Sequence, residues 1–403
     1  MKNKLSILLL LVATNAFCQN PLHKSTNLIR GNDVIIKQQV EYKSPGRSGE
    51  DILWNFSQLY SINDSCRVSY QSYDDSTFVS REHRTLYYYS CNNDSLFLNG
   101  YENPTIKMQY SMPELRMIYP FGYGMSFNDS FYGEGTYSQK YKLVSKGVNE
   151  TVADGVGMMI LPSNDTLYNV TRIYSKQVFT EQKSDLLSPE KRETNELTSK
   201  EVIVNLLKKD SILFQIDTYQ WYADGYRYPI FEVIESAVCK TGNKQDYFKT
   251  AFFYSPYVHD YLENDPENLA ISSNSDSGNG LGTDSLSLSD RQNKDDNSQY
   301  KDSINQKQNH KDTDDSINSR IKYNYYPSVV VDNLYLEMYI PYDTEIDITL
   351  YNSQGKVQKL LSYNSNQNNF ITESMDLSAY TPGIYFLQVK TNKEFITEKI
   401  IKK

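Results

Sequence analysis

Over most of this chain apolar and polar residues alternate in short runs, and helical spacing is scarce. Val34-Ile35-Ile36-Lys37-Gln38-Gln39-Val40-Glu41-Tyr42 reads as a strand, as do Thr85 to Ser90 and Ile212 to Tyr219. A period of two sends alternate side chains to opposite faces, the sign of a half-buried strand. Asp74-Asp75, Asn92-Asn93-Asp94 and Asp224-Gly225 fall between runs as turns. Only Glu190 to Asp210 offers a short helix, and its polar front half suits an exposed loop equally well. Roughly 240 residues of short strands predict one large antiparallel β-sandwich or half-barrel over residues 19–262.

The pattern then breaks. From 263 to 325 Ser, Asn, Asp, Gln and Lys dominate and aromatics almost vanish. Such a segment buries too little apolar area to offset its ordering entropy, so a disordered linker is expected. Its many Asp do not form the spaced D-x-[DN]-x-[DN]-G loop with a closing Glu that calcium requires, and they read as solvated. Strand-like sequence returns at 326. Ile346, Ile348 and Leu350 alternate with polar residues, Asn352-Ser353-Gln354-Gly355-Lys356 makes a hairpin turn, and two strands follow the turn at Thr381-Pro382-Gly383. Residues 326–403 therefore predict a small, Ig-like antiparallel β-sandwich. The whole chain is expected to be all-β.

At the N-terminus the hydrophobic pattern has another meaning. Lys2 and Lys4 precede the apolar run Leu5 to Ala13, and Ala16-Phe17-Cys18 offers small residues for cleavage between Cys18 and Gln19. That is the layout of a secretory signal over residues 1–18, and the run is too short to span a bilayer. The alternative is a lipidated Cys18 on a periplasmic binding protein. Mean hydropathy is −0.61 and the formal charge −9. Nucleic acid is thereby excluded as a partner, since its binding needs Lys/Arg fields. Of the cysteines left after cleavage, Cys66 and Cys91 both lie in β-like sequence and are the better disulfide pair in an oxidising compartment. Three buried thiols are the equal alternative.

The C-terminal segment carries a resemblance. Tyr326-Pro327, Ile348-Thr349-Leu350-Tyr351, Gly355-Lys356, Asp376-Leu377-Ser378, Pro382-Gly383-Ile384-Tyr385-Phe386 and Lys399-Ile400-Ile401-Lys402-Lys403 follow the pattern of a known domain. It resembles the type A C-terminal sorting domain of the type IX secretion system of Bacteroidetes-type bacteria. Only the opening departs, with Pro327-Ser328-Val329 where the family has Pro-Asn-Pro. The resemblance implies passage across the outer membrane and partners in the type IX machinery. It also implies removal by a sortase-like peptidase, with the cargo released or joined to surface lipopolysaccharide or glycan. The residues matching its motif are Gly355, Lys356, Asp376, Leu377, Gly383, Ile384, Tyr385, Lys399, Ile400 and Lys402. The order of Pro120 to Phe131, Asp154 to Pro162, Asn169 to Ile173 and Trp221 to Pro229 resembles the uncharacterised β-rich N-terminal region of similar cargo, which implies shared fold and no chemistry. Asp-Ser followed by an apolar residue resembles an O-glycosylation motif of the same bacteria, marking Ser285, Ser303 and Ser316.

Catalytic signatures are missing. There is no G-x-S-x-G, H-E-x-x-H or P-loop, and Gly278, Gly280 and Gly282 lack a strand–helix context. His23 and His310 fall in segments read as flexible, and His83 and His259 are isolated; the cysteine spacing makes no zinc site. The 35 tyrosines are the compositional oddity. Tyr87-Tyr88-Tyr89 and Tyr219 to Tyr228 would suit a carbohydrate-stacking face, although Tyr is a preferred strand residue without any ligand. The expectation is an exported, surface-bound or released cargo with a binding or structural N-terminal domain and no cofactor or metal. A secreted hydrolase with a carboxylate pair is the enzymatic alternative.

Overall fold

The computed structural model describes residues 21–186, 200–240, 243–256, 265–276 and 320–403. Twelve strands close into an antiparallel barrel. They are β1 (Val34–Val40), β3 (Ser61–Ser72), β4 (Thr77–Glu82), β5 (Thr85–Asn92), β6 (Ser95–Glu102), β7 (Ile106–Ile118), β8 (Ser126–Tyr137), β9 (Tyr141–Ile160), β10 (Thr166–Asp185), β11 (Ile212–Tyr222), β12 (Phe231–Lys240) and β13 (Asn243–Phe253). β2 (Gly49–Asn55) stands apart. Each barrel strand pairs with the next in order, and β13 returns to β1 through Gln38↔Phe253, Gln39↔Phe252 and Val40↔Ala251. The expected open sandwich or half-barrel thus has no edge along the ring, which removes the hazard an unpaired strand presents. Tight turns take the expected residues. Asn93 (φ 52) turns β5 into β6, and His83 (φ 51) turns β4 into β5, so that histidine has a local role.

Two apolar cores flank the barrel wall. Inside, at one end, Phe78, Leu96, Met117, Phe121, Ala153, Ile173 and Tyr222 pack around Leu22, which the incoming chain inserts through a bridge to Phe121. Outside, Trp221, Phe231, Val233, Ala251 and Phe253 pack against Ile52, Trp54 and Phe56 of β2 and the segment after it. Phe56 stacks on Phe231 at 3.9 Å, and Trp54 meets Trp221 edge-on at 5.9 Å. Trp54 and Trp221 are each at most 1 % exposed. Burying such side chains contributes about 1.5–3 kcal/mol apiece.

β9 and β10, at 20 residues each, outlast their neighbours. β8 pairs β9 only up to Ser126↔Val152; beyond it β2 takes the same edge in parallel, Leu53↔Met158 and Trp54↔Met159. β14 (Lys322–Tyr326) extends this sheet in parallel through Tyr323↔Ile52, followed by β16 (Asn333–Ile340) and β19 (Asn369–Asp376). The second C-terminal sheet runs β15 (Val329–Val330), β21 (Phe395–Lys402), β20 (Gly383–Lys390), β17 (Thr344–Asn352), β18 (Val357–Ser365). Between the two sheets lie Leu334, Leu336, Met338, Ile346, Ile348, Leu350, Leu387, Val389 and Ile400. The alternation read from Ile346, Ile348 and Leu350 is therefore the core face of β17.

Among the described residues three helices accompany the sheets: α1 (Lys24–Asn27), α2 (Lys200–Leu207) and α3 (Pro266–Asp276). α2 falls where a short helix was expected and buries Ile203 and Leu207. α3 lies inside the segment expected to be disordered from 263. Its lead-in residue Asp265 is 0 % exposed, so the folded region reaches past 262. Residues 277–319 of the expected linker lie outside the described residues.

Gly157 marks the tightest contact between β9 and β2: a Cβ there would stand 2.0 Å from the Ile52 carbonyl oxygen. Gly157→Val should force β2 off the wall and cost about 1–3 kcal/mol, the range for overpacking. A lowered urea midpoint checks this; an unchanged midpoint contradicts the pairing.

Candidate functional site

Strand pairing decides which side chains face the barrel interior. Asp129 on β8, Asn149 on β9 and Gln177 on β10 stand side by side, as Cα partners in turn. Glu114 on β7 joins them from a distorted stretch, where the pairing with β6 shifts between Leu115 and Met117. Asp129 Oδ2 accepts from the Leu115 amide at 2.9 Å and Asn149 Nδ2 donates to the Leu115 carbonyl at 3.1 Å. Both bonds hold the irregular backbone. Glu114 Oε1 accepts from Arg116 Nη1 at 2.9 Å and Gln177 Nε2 at 3.0 Å. Glu114 Oε2 and Asn149 Oδ1 are buried and carry no hydrogen bond among the described residues.

Arg116 is the unusual member. Its carboxylate partner is 1 % exposed, yet the Arg116 side chain keeps 44 % of its surface accessible. It stands among inward groups, since the Glu114 oxygen it bonds also accepts from Gln177 on β10. An interior guanidinium with so much free surface faces open space. Eight strands give a barrel that side chains fill; twelve leave room, and here the room is at Arg116. Glu114 raises the guanidinium above its ordinary value, against the opposing effect of burial. Nη1 carries the bond to Glu114, and Nε and Nη2 bond to none of the described residues. Aromatic rings line the same space. Tyr110 lies 5.4 Å from Phe131 and Tyr87 6.2 Å from Tyr101, whose hydroxyl donates to Glu181 at 3.3 Å. Burial raises the Tyr87, Tyr89 and Tyr110 hydroxyls, which stay protonated near neutral pH.

Across the interior a second charged group is closed up. Lys37 on β1 is 5 % exposed, pairs with Glu82 and lies 4.0 Å from Glu232. Its ammonium sits 4.3 Å over the Phe252 ring. Burial works to lower Lys37, and Glu232 with Glu82 more than offsets it, so the ammonium is held above its ordinary value. A carboxylate pair is present in Glu82 and Glu232, but a lysine occupies both.

Where the chain leaves the barrel, Arg227 bonds Asp265 through both arms at 2.7 Å, and Asn268 adds a third bond at 2.9 Å. Burial alone would raise the Asp265 carboxyl; the bonds from Arg227 and Asn268 and the nearby Arg30 hold it below its ordinary value.

The C-terminal domain is held by the segment before and within β2. The Arg47 guanidinium stacks on the Tyr323 ring at 3.8 Å and donates to the Tyr323 carbonyl at 3.1 Å. Asn324 Oδ1 accepts from the Arg47 amide at 3.0 Å, and Lys43 pairs with Glu337 at 2.7 Å. Gly46 (φ 71) permits the approach, since a Cβ would meet Asn324 Oδ1 at 2.1 Å. Beside this contact an open cleft of about 680 Å³ is lined by Glu50, Asp51, Arg320, Lys393 and Glu394 among others. Asp51 pairs with both Arg320 and Lys322.

The motif residues of the C-terminal domain divide by job. Leu377, Tyr385 and Ile400 are core, and the Tyr385 hydroxyl donates to the Thr381 carbonyl at 2.9 Å. Gly355 (φ 76) turns the hairpin, where Asn352 Oδ1 accepts from the Lys356 amide. Asp376 accepts from Ser378, whose side-chain and backbone bonds lower its carboxyl. Gly383 opens β20; Ile384 and Lys399 lie outward, and Lys402 is buried near the chain end.

Other expected sites fare differently. Cys66, Cys91 and Cys239 are free. Cys66 pairs across from Lys37 while Cys91 packs in the end cluster, with β4 between their strands, so the structure does not bring the expected pair together. Cys18, Gln19, Ser285, Ser303 and Ser316 lie outside the described residues. Tyr87 and Tyr89 face the interior, whereas Tyr219 joins the outer core. Among the described residues no cluster of His, Cys, Asp and Glu has metal-binding geometry. Sequence reasoning passed over Arg116, Glu114, Gln177, Lys37 and Glu232. Their signal was a charge or amide recurring on one face of a period-two strand.

Residues 324–403 match the family described as the secretion system C-terminal sorting domain. The C-terminal region is a sorting domain of that kind, and the chain is thereby a type IX secretion cargo; the barrel is unassigned. No curated protein matches the chain. Among solved structures, dimeric latent PorU from Porphyromonas gingivalis aligns over 92 % of this chain and 34 % of its own, at 9 % identity and a TM-score of 0.19. This chain spans about a third of that protein, and a likeness so faint carries no weight for fold or function.

Asp265 generates a pH prediction. A carboxyl depressed in the folded state stabilises above the unfolded carboxylate range, about 4, and its contribution is lost as pH falls through the folded value. Wild-type denaturation midpoints should therefore drop below about pH 4. Asp265→Ala, which strands Arg227, should cost about 3 kcal/mol at pH 7 and flatten that drop. Identical pH profiles would contradict the pairing.

Proposed function

We propose that the barrel is a non-enzymatic binding module that acts at or beyond the outer membrane. The sorting domain carries it there, and interaction with the export machinery follows from that domain. Removal of the sorting domain by a sortase-like peptidase, and release or attachment of the barrel to surface lipopolysaccharide or glycan, belong to the same reading.

The observation that carries it is the open interior at Arg116. Twelve strands leave room by geometry, so the room alone decides nothing and the chemistry of its wall does. Here a cation with free donors faces space walled by tyrosines. The carboxylates nearby are engaged rather than poised: Glu82 and Glu232 hold Lys37, and Glu114 holds Arg116. That arrangement suits recognition more than acid–base work, which needs a titratable group near operating pH.

The test uses the full chain with the low-molecular-mass fraction of spent culture medium. A raised melting temperature is expected, and the compound eluted from the protein should return chemically unchanged. No shift with any fraction, or an altered compound, would overturn the reading.

A further inference from the structure

We propose that the barrel lumen around Arg116 is a saccharide-binding site, and that its ligand is a neutral sugar. This rests on the barrel being a binding module and names what it binds. The choice follows from what the walls offer. Arg116 supplies two nitrogens that bond to none of the described residues, donors only. Glu114 Oε2 and Asn149 Oδ1 are buried acceptors with no donor among the described residues. Both atoms are closed off from the open space, so a ligand meets Arg116 first. A ligand hydroxyl accepts from Arg116 and keeps its own proton for a neighbouring acceptor.

Charge narrows the class. Facing the interior, the cations Lys37 and Arg116 stand against the carboxylates of Glu82, Glu232, Glu114 and Asp129, with Glu181 and Lys183 of opposite sign at the rim. A carboxylate or phosphate ligand would be drawn to Arg116 and repelled by the surplus of negative charge around it. An amine would be drawn by the surplus and would meet Arg116, the most open charge in the site. A fatty acyl chain would strip water from Arg116 and Gln177 and replace none of their bonds. A neutral polyol meets none of these obstacles. Its ring faces are apolar C–H surfaces, and Tyr87, Tyr89, Tyr101 and Tyr110 line the same space with rings and neutral hydroxyls.

Isothermal titration of the full chain tests the proposal with glucose, galactose, N-acetylglucosamine and cellobiose. Glucuronate, glucosamine and laurate serve as the acidic, basic and apolar counterparts. At least one neutral sugar should bind, more tightly than its charged counterpart. Arg116→Gln should weaken that binding about tenfold or more, and Tyr110→Phe, which keeps the ring and removes the hydroxyl, should weaken it less. Lys183→Gln, on the rim between Tyr137 and Tyr141, should leave it unchanged. Near-ultraviolet circular dichroism establishes that each variant is folded. If Arg116→Gln does not fold, Tyr110→Phe and Gln177→Leu carry the test, each with a measurable loss expected. Binding of glucuronate, glucosamine or laurate in place of every neutral sugar overturns the ligand class and leaves the binding module standing. Neutral-sugar binding that ignores all the lumen variants overturns the site. If no probe binds, the saccharide proposal falls, and the medium-fraction experiment decides separately whether the barrel binds anything.

Discussion

The pairing of β9 with β10 is the interaction on which the rest depends. It closes the ring, because β10 joins β9 to β11. It also overshoots the ring, and the overshoot is what gives β2 an edge. On that edge β2 brings Ile52, Trp54 and Phe56 over the outer face of the wall, which would otherwise expose Trp221 and Phe231 to water. Exposed aromatics in a strand-rich surface invite association. One long hairpin therefore closes the interior, covers the exterior and carries the strand to which the sorting domain is joined.

Joining the two domains through a sheet has consequences for a chain whose signal is expected to be removed. Backbone pairing between β2 and β14 is brief, a single Tyr323↔Ile52 register pair. Side chains do more of the holding: the Arg47 stack on Tyr323, the Lys43 pair with Glu337, and Asn324 against Gly46. Lys322 is lowered by its burial, and Asp51 works against that shift. A junction of charged and aromatic side chains, with one small shared cluster of Leu53, Met158 and Ile160 against Tyr339, resembles a separable interface between domains. The outer core of the barrel, by contrast, draws only on residues before 254 and is complete without the sorting domain.

Much of this fold was legible in the sequence. Period-two alternation located β1, β5, β11 and β17, and the turn residues fell where chains reverse, Gly225 (φ 82) and Gly355 (φ 76) among them. The sorting domain was legible because its motif is local: a glycine for a turn, an aspartate that bonds two residues on, apolar residues at even spacing. What escaped was nonlocal. Closure pairs Val40 with Ala251, and no pattern within either strand announces the other. Lys37 was legible only as a strand position, and closure placed Glu82 and Glu232 beside it. Asp265 read as solvated linker because its partner, Arg227, is 38 residues upstream. Cys66 and Cys91 were paired for lying in β-like sequence, which does not tell that β4 lies between β3 and β5, and the alternative of free thiols is what the structure has. Tyr87 and Tyr89 were noticed as a stacking face, and only the ring told which side of the wall they occupy.

The central claim is that β2 is the shared strand, held on one edge by β9 and on the other by β14. Amide hydrogen exchange on the full chain and on a chain ending at Arg320 tests it most directly. Removal of the sorting domain should raise exchange within Gly49–Asn55 and leave β9, β10 and the ring strands protected as before. Unchanged protection in Gly49–Asn55 would contradict the shared strand. Loss of protection throughout the ring would contradict a barrel that stands by itself.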